Sequence, residues 1–180
     1  MSEIGVCYAQ ALYSLAEEEA VTEQVLEQLE TLAAAFAREP DFVRLLATPN
    51  LSKAERCQLL DNSFRGRVHA YVLNFLKLLT EKGYARRFDD CVRQYRNIYN
   101  KNHGIVSVVA TTAVEMTQAQ KDKLRSKLET ITGKTVQLNC RVESACVGGV
   151  RLDYDGKRID GTVRNRLDAM KELLSHGTKT

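Results

Sequence analysis

The feature that most constrains the fold is a change of hydrophobic period near Gly104. Before it, apolar residues recur every three to four positions, the spacing of one face of an α-helix. After it, β-branched stretches such as "IVSVVATT" alternate with helical segments. Charge changes at the same point, because residues 1–104 hold 13 bases and 14 acids and residues 105–180 hold 13 bases and 9 acids. We therefore predict two domains with these bounds.

Six helices joined by short turns are predicted for residues 1–104, as a compact helical bundle requires. Pro40 and Pro49, the two prolines of the chain, bracket a short helix. Ser52 and Glu55 form a capping box that opens the next one.

Residues 105–180 predict a small α/β domain. Its helix "TQAQKDKLRSKLETITG" has a capping box at Thr117 and Gln120 and a stop at Gly133. The next strand alternates apolar and polar residues, which predicts one half-buried face: Val136, Leu138, Cys140 and Val142. The predicted fold class is α+β, an N-terminal six-helix bundle followed by a small C-terminal α/β domain.

The segment "VGGVRLDYDGKRIDGTVRNRL", residues 147–167, contains four glycines and one Gly-Lys pair. A Walker phosphate loop would require a glycine at position 151 and a hydroxyl at position 158, and both are arginine. A hairpin with a two-residue turn at Asp155 and Gly156 fits better. Its register predicts two cross-strand pairs: Leu152 with Ile159, and Asp153 with Arg158.

Composition and motifs indicate a globular protein without catalytic chemistry. The first 37 residues hold seven Glu and no Lys or Arg, so neither a signal peptide nor an Arg-rich transit peptide is predicted. Five cysteines without Cys-x-x-Cys spacing and three scattered histidines predict no disulfide framework, no metal site and no cofactor. We interpret the cysteines as small buried apolar residues in a reduced, cytosolic setting. No catalytic motif is found, so no enzyme is predicted.

Two helices carry more apolar surface than one core contact requires. In the first helix, one face holds Ile4, Tyr8, Ala11, Leu12 and Leu15, and a second apolar row holds Val6, Ala9, Tyr13 and Ala16. In the fifth, predicted from Arg67, apolar residues cover roughly 160° of the helix, against about 100° for a helix facing a single core. Two interpretations remain open: both helices are central in the bundle, or a groove between them accepts a partner helix.

Six segments together resemble one known family. They are "YAQALYSLAEE", "PDFVRLLATPNLSKAER", "NFLKLLTEKGYARRF", "GIVSVVATTAVEMTQAQ", "TGKTVQLNCRVE" and "GGVRLDYDGKRIDGTVRNRL". The last is the most specific, since Gly-Gly, Ile-Asp-Gly-Thr-Val and Arg-x-x-Leu occur in the family's order and spacing. With them the chain resembles the delta subunit of F-type ATP synthases, the relative of the mitochondrial oligomycin-sensitivity-conferring protein.

The resemblance implies a peripheral-stalk (stator) subunit with no catalytic role and no cofactor. Such a subunit links the catalytic head to the membrane-anchored stalk, so that proton-driven rotation is coupled to ATP synthesis. The N-terminal domain would bind N-terminal segments of alpha subunits, and the C-terminal domain would bind b-type stalk subunits. The chain would lie at the cytoplasmic face of the bacterial membrane, touch the membrane only through the complex and bind no nucleic acid.

The surplus apolar surface and the family role together predict two sites. The first and fifth helices would form the alpha-subunit groove through Tyr8, Ala11, Leu12, Phe75 and Leu78. Six residues would shape the domain that receives the stalk: Gly148, Gly149, Asp160, Gly161, Arg164 and Arg166. We expect the glycines to exclude side chains beside a strand, so that Gly149→Asp would bury a charge there. The aspartate is expected to accept from N–H groups at the final helix, and the arginines to donate to acidic groups.

The alternative from another class is a nucleic-acid-binding protein that uses the basic C-terminal domain. Its bases are Lys121, Lys123, Arg125 and Lys127 on one predicted helix and Arg164 and Arg166 on another. Aromatic residues for base stacking are nearly absent, since Tyr154 is the one aromatic residue after Gly104. A solvated helix face explains the lysines more simply.

Overall fold

The computed structural model describes residues 3–48, 51–144, 146, 148–154 and 157–161. This part contains seven α-helices: α1 Glu3–Glu18, α2 Thr22–Arg38, α3 Pro40–Ala47, α4 Lys53–Phe64, α5 Ala70–Glu81, α6 Phe88–Asn102 and α7 Gln118–Thr132. It also contains four strands: β1 Ile105–Thr112, β2 Thr135–Val142, β3 Val150–Tyr154 and β4 Lys157–Asp160. A 3-10 turn, Ala85–Arg87, precedes α6. The fold is therefore α+β.

The chain divides into two compact units, Met1–Tyr99 and Asn100–Thr180. We call them the helical unit and the sheet unit. The division falls within α6, slightly before the change of sequence period at Gly104, and the domain bounds 1–104 and 105–180 stay a prediction. Among the helices of the described residues, none has the length and apolar character that a membrane span requires.

One hydrophobic core in the helical unit takes side chains from each of α1 to α6. In α2 its members recur at intervals of four, three and four residues and so share one face: Val25, Leu29, Leu32 and Phe36. The Phe36 ring lies near three other rings, with centroid distances of 5.6 Å to Phe42, 6.1 Å to Phe64 and 5.2 Å to Phe88. This one side chain therefore joins α2 to α3, α4 and α6.

The structure decides which apolar row of α1 faces the core, a question that the sequence left open. The buried residues are Ala9, Leu12, Tyr13 and Ala16, all at most 4% exposed. Leu15 is 45% exposed and Ala11 is exposed as well. The cause is Tyr13, whose ring is buried against Tyr95 of α6 at a centroid distance of 5.5 Å. Ala9, Tyr13 and Ala16 of the second apolar row are thus core residues, together with Leu12 of the first.

Local capping sets the helix starts in the helical unit. The backbone N–H of Glu55 donates to Ser52 Oγ at 3.2 Å, and that of Ser52 donates to the Glu55 carboxylate at 2.8 Å. The predicted capping box of α4 is therefore confirmed. α5 begins later than the predicted Arg67, because His69 Nδ1 accepts the backbone N–H of Tyr71 at 3.3 Å and caps the helix.

The sheet unit contains a four-stranded sheet in the order β2-β1-β3-β4. β1 pairs in parallel with β2 and antiparallel with β3. The connection between the parallel strands is α7, which starts at the predicted capping box of Thr117 and Gln120. It ends at Gly133, whose φ of 64° is the left-handed conformation of a C-cap.

The β3–β4 pairing has the predicted register. Leu152 lies opposite Ile159 and Asp153 lies opposite Arg158, where Arg158 Nε donates to the Asp153 carboxylate at 2.7 Å. The turn residues between these strands lie outside the described residues.

The apolar face of β2 is buried over its first half only. Val136 is 3% exposed, whereas Val142 is 59% exposed and Cys140 is exposed too. β2 is an edge strand, and α7 covers its start, where the Val136 N–H donates to the Glu129 carboxylate at 3.2 Å. The predicted half-buried strand is therefore confirmed over the first half of β2 and wrong over the second.

The five cysteines are free thiols in different environments. Cys91 and Cys146 are buried, as predicted, and Cys57 is half-buried. Cys7 and Cys140 are exposed, which corrects their interpretation as buried residues. Burial raises the pKa of the Cys91 thiol to about 11.

We predict that Cys91 resists alkylation at pH 8 while Cys7 reacts. At that pH roughly one Cys91 thiol in a thousand would be ionised, and the thiolate is the nucleophile. Cys91 is moreover 1% exposed. Iodoacetamide labelling followed by peptide mass spectrometry measures both rates in one sample. Equal rates in the folded protein would contradict this placement of Cys91.

Candidate functional site

Two contacts hold α1 beside α5 in antiparallel orientation. Past the end of α1, the Glu19 carboxylate accepts a hydrogen bond from Tyr71 Oη of α5 at 2.5 Å. Near the start of α1, the Tyr8 ring meets the ring of Tyr84, which follows α5, at a centroid distance of 6.1 Å. The hydrogen bond to Glu19 raises the pKa of Tyr71.

Apolar side chains lie exposed along this helix pair. On α1, Tyr8, Ala11 and Leu15 are spaced three and four residues apart and so follow one strip of the helix. Leu15 and Leu78 are 45% and 40% exposed, and Tyr8 is half-buried. Leu78 belongs to the end of α5 that lies beside the start of α1. We call Tyr8, Ala11, Leu15 and Leu78 the α1/α5 surface.

The predicted alpha-subunit contacts fall into two groups. Tyr8, Ala11 and Leu78 belong to the α1/α5 surface, whereas Leu12 and Phe75 are 4% and 6% exposed and belong to the core. The two buried residues therefore offer a partner little surface. The prediction omitted Leu15, although its spacing from Ala11 was a signal that could have identified it.

We predict that replacing neighbouring leucines of α5 will separate core from surface. Leu79 is fully buried, so Leu79→Ala should lower the free energy of unfolding by about 2–5 kcal/mol. Leu78→Ala should change it by less than about 1 kcal/mol, because much of that side chain is already in water. Urea denaturation followed by circular dichroism measures both values. Similar losses for the two variants would place Leu78 in the core.

In the sheet unit, the predicted glycines precede β3. Gly148 and Gly149 have φ values of 147° and 89°, which L-residues with a side chain rarely adopt. Gly149 is exposed, so an aspartate there would not be a buried charge, contrary to the sequence-based expectation. Backbone conformation, and not burial, is the reason for glycine at this position.

At the same end of the hairpin, after β4, Gly161 packs closely against the start of β3. Its N–H donates to the Val150 carbonyl at 3.1 Å, and a Cβ on Gly161 would lie 3.2 Å from that same oxygen. Asp160 lies opposite Arg151 in the β3–β4 register. Arg164 and Arg166, with the predicted final helix, lie outside the described residues.

Arg151 of β3 links Glu143, which follows β2, to Asp153. It donates to the Glu143 carboxylate at 2.8 Å and lies 3.6 Å from Asp153, which also pairs with Arg158. The hydrogen bond to Glu143 raises the pKa of Arg151. The hairpin register predicted the Asp153 pair with Arg158, but the Glu143 contact required the tertiary structure. Among the described residues, no cluster of three or more His, Cys, Asp or Glu could hold a metal ion.

Comparison with known proteins gives consistent matches along the chain. The family model described as ATP synthase delta (OSCP) subunit matches residues 4–174. ATP synthase subunit delta of Alkaliphilus oremlandii is 37% identical over 168 residues, which are 93% of each chain. The same subunit of Clostridioides difficile is 34% identical over 169 residues, again 93% of each chain.

A solved structure shows the same fold at low sequence identity. It is a chain in the cryo-EM structure of the Toxoplasma gondii mitochondrial ATP synthase hexamer, with a TM-score of 0.77 and 18% identity. The match covers 96% of the present chain and 98% of that chain.

Proposed function

Because the chain belongs to the ATP synthase delta (OSCP) subunit family, we propose that its two units bind two different parts of that enzyme. The helical unit binds N-terminal segments of alpha subunits through the α1/α5 surface. The sheet unit binds the end of the b-type peripheral stalk. The observation that carries the proposal is the exposed apolar strip on α1, together with the exposed Leu78 on the neighbouring helix α5.

The family places the chain in the peripheral stalk of F-type ATP synthase, as a stator subunit of a membrane-associated complex. It is a structural subunit and not an enzyme. It links the catalytic head to the membrane-anchored stalk, so that proton-driven rotation is coupled to ATP synthesis. Coupling depends on this link for a mechanical reason. If the head turned together with the rotor, the rotor would not rotate relative to the head.

Helix-in-groove binding fits the α1/α5 surface. Ala11 lies between the larger Tyr8 and Leu15 on one strip, so its small side chain leaves space for an apolar side chain of a partner helix. The antiparallel contacts at Glu19 and Tyr84 hold the two helices in place before binding, which reduces the entropic cost of association.

Two finer features of the fold belong to the same proposal. We infer that residues 1–104 form a six-helix bundle, supported by a core to which each of α1 to α6 contributes. Residues 105–180 form the stalk-binding α/β domain, on the cytoplasmic face of the membrane. The chain then contacts the membrane only through other subunits.

Aspartates in the α1/α5 surface should weaken binding of an alpha N-terminal peptide. We expect Ala11→Asp and Leu78→Asp to raise its Kd by at least about tenfold, because each puts a carboxylate against apolar partner groups. Helical circular dichroism should stay unchanged, since both positions are exposed. Calorimetric titration of the full chain measures the Kd.

The matched controls are Ala34→Asp on α2 and Leu45→Asp on α3, which make the same chemical changes away from this surface. Ala34 is exposed, and Leu45 is 40% exposed, as Leu78 is. Equal Kd values for test and control variants would remove the α1/α5 surface from the proposal.

Gly149→Asp should weaken stalk binding by more than about tenfold while leaving alpha binding unchanged. Its φ of 89° makes any side chain strained, at a cost of about 1–3 kcal/mol, and disturbs the start of β3. Gly133→Asp is the control, because its φ of 64° is also positive and it lies at the far end of α7. Calorimetry with the soluble domain of a b-type subunit measures the affinity. Normal stalk affinity in Gly149→Asp would show that these glycines serve the loop alone.

The nucleic-acid alternative is not supported. Relatives that match more than nine-tenths of the chain are ATP synthase subunits. On α7, Arg125 pairs with Asp122 at 3.9 Å, as expected of a solvated helix face.

A further inference from the structure

A cavity of about 430 Å³ lies within the sheet unit, where the end of β1, the start of α7 and the start of β3 meet. Its walls come from Thr112 and the loop that follows, from one face of α7, and from Gly148 to Val150. It is as large as the smaller ligand pockets of proteins, and it has room for one or two apolar side chains.

The walls of this cavity are mainly apolar and open to solvent. Val114, Met116, Leu124 and Val150 all line it, and Val114 is 73% exposed. Most of the apolar surface of such a side chain is in contact with water. A partner that covers this surface removes it from water, which stabilises the complex.

Two lysines give the apolar cavity a positive rim. Lys123 and Lys127 both line it, and their spacing of four residues puts them on the same face of α7. Within the part of the chain that the structure describes, neither forms an ion pair within 4 Å, in contrast to Arg125 on the same helix. Glu115 is the one acidic residue among the described lining residues, so the rim is net positive.

Hydrogen bonds order the wall formed by Thr112 and the loop that follows it. Thr112 Oγ1 donates to the Val114 carbonyl at 2.7 Å, and the Glu143 N–H donates to the Thr112 carbonyl at 2.8 Å. Gly148 and Gly149 close the opposite wall without side chains. A wall already ordered by such bonds binds a partner at a smaller cost in entropy.

We propose that this cavity is where the stalk partner docks, by inserting an apolar side chain whose neighbouring carboxylates lie against Lys123 and Lys127. The proposal rests on the stalk-binding role of the sheet unit and names the surface and the chemistry of that contact. An amphipathic helix end with acidic flanks matches both the apolar walls and the positive rim.

The rim is tested by charge substitutions on the full chain, with the purified soluble domain of the b-type subunit of the same ATP synthase as probe. Lys123→Gln with Lys127→Gln should raise the Kd roughly three- to thirtyfold and reduce its dependence on salt. Lys121→Gln with Lys134→Gln removes the same charge outside the cavity and should leave the Kd within about twofold of wild type.

The apolar walls are tested by filling the cavity. Val114→Trp should raise the Kd by at least about tenfold, because the indole occupies the space of the inserted side chain. Ile131→Trp is the control, since Ile131 is 80% exposed on α7 and does not line the cavity. Melting temperature and binding of the alpha peptide confirm that each variant is folded.

Three results would overturn the proposal. If wild type binds the stalk domain and both cavity variants have the same Kd as their controls, the cavity is not the docking site, while the stalk-binding role stands. If wild type fails to bind the stalk domain, the stalk role and the cavity fail together. If sedimentation shows wild-type dimers that Val114→Trp disperses, the cavity belongs to a second copy of this chain.

Discussion

The packing of Tyr13 against Tyr95 is the constraint on which the helical unit depends. Both rings are buried, at 1% and 0% exposure, and the Tyr95 hydroxyl donates to the Thr22 carbonyl at 3.1 Å. Burial raises the pKa of Tyr95, which keeps the phenol neutral in the core. The pair ties α1 to α6 and to the start of α2, and so sets the rotation of α1 about its own axis. With Tyr13 facing inwards, Ala11 and Leu15 face outwards.

That rotation connects stability to function. A helix that turned its first apolar row to the core would bury the residues that the α1/α5 surface needs. The small residues Ala9 and Ala16 accompany Tyr13 inside, where they permit close approach of neighbouring helices. A stator subunit must transmit force without deforming, and a densely packed interior has the low compressibility that this requires.

In the sheet unit, β1 has the corresponding role. It is the strand that pairs with both β2 and β3, so it determines what meets at its end. Thr112 lies opposite Val150, the first residue of β3, and the chain continues from Thr112 into α7. Strand pairing therefore brings together three segments: the loop after β1, the start of α7 and the two glycines before β3. The cavity and its lysines result from this topology.

Much of the fold could be predicted because it depends on local pattern. The capping boxes at Ser52 and Thr117, the left-handed end of α7 and the pairing of Asp153 with Arg158 involve residues close in sequence. The start of α5 was missed, since His69 is an unusual cap. The candidate surfaces were predicted only in part, because an apolar row on a helix has the same sequence pattern whether it faces a core or a partner.

By itself the sequence determined the order of helices and strands among the described residues, the change of class near Gly104 and the family, since periodicity, caps and motifs depend on residues close in the chain. Only the tertiary structure decided that Leu12 and Phe75 are core while Ala11 and Leu78 are surface, and that Lys123 and Lys127 border a cavity. The physical reason is that a side chain is buried only where another side chain packs against it, and the two can be distant in the sequence. Tyr13 is inside because Tyr95, on a helix distant in the chain, offers it a surface to pack against.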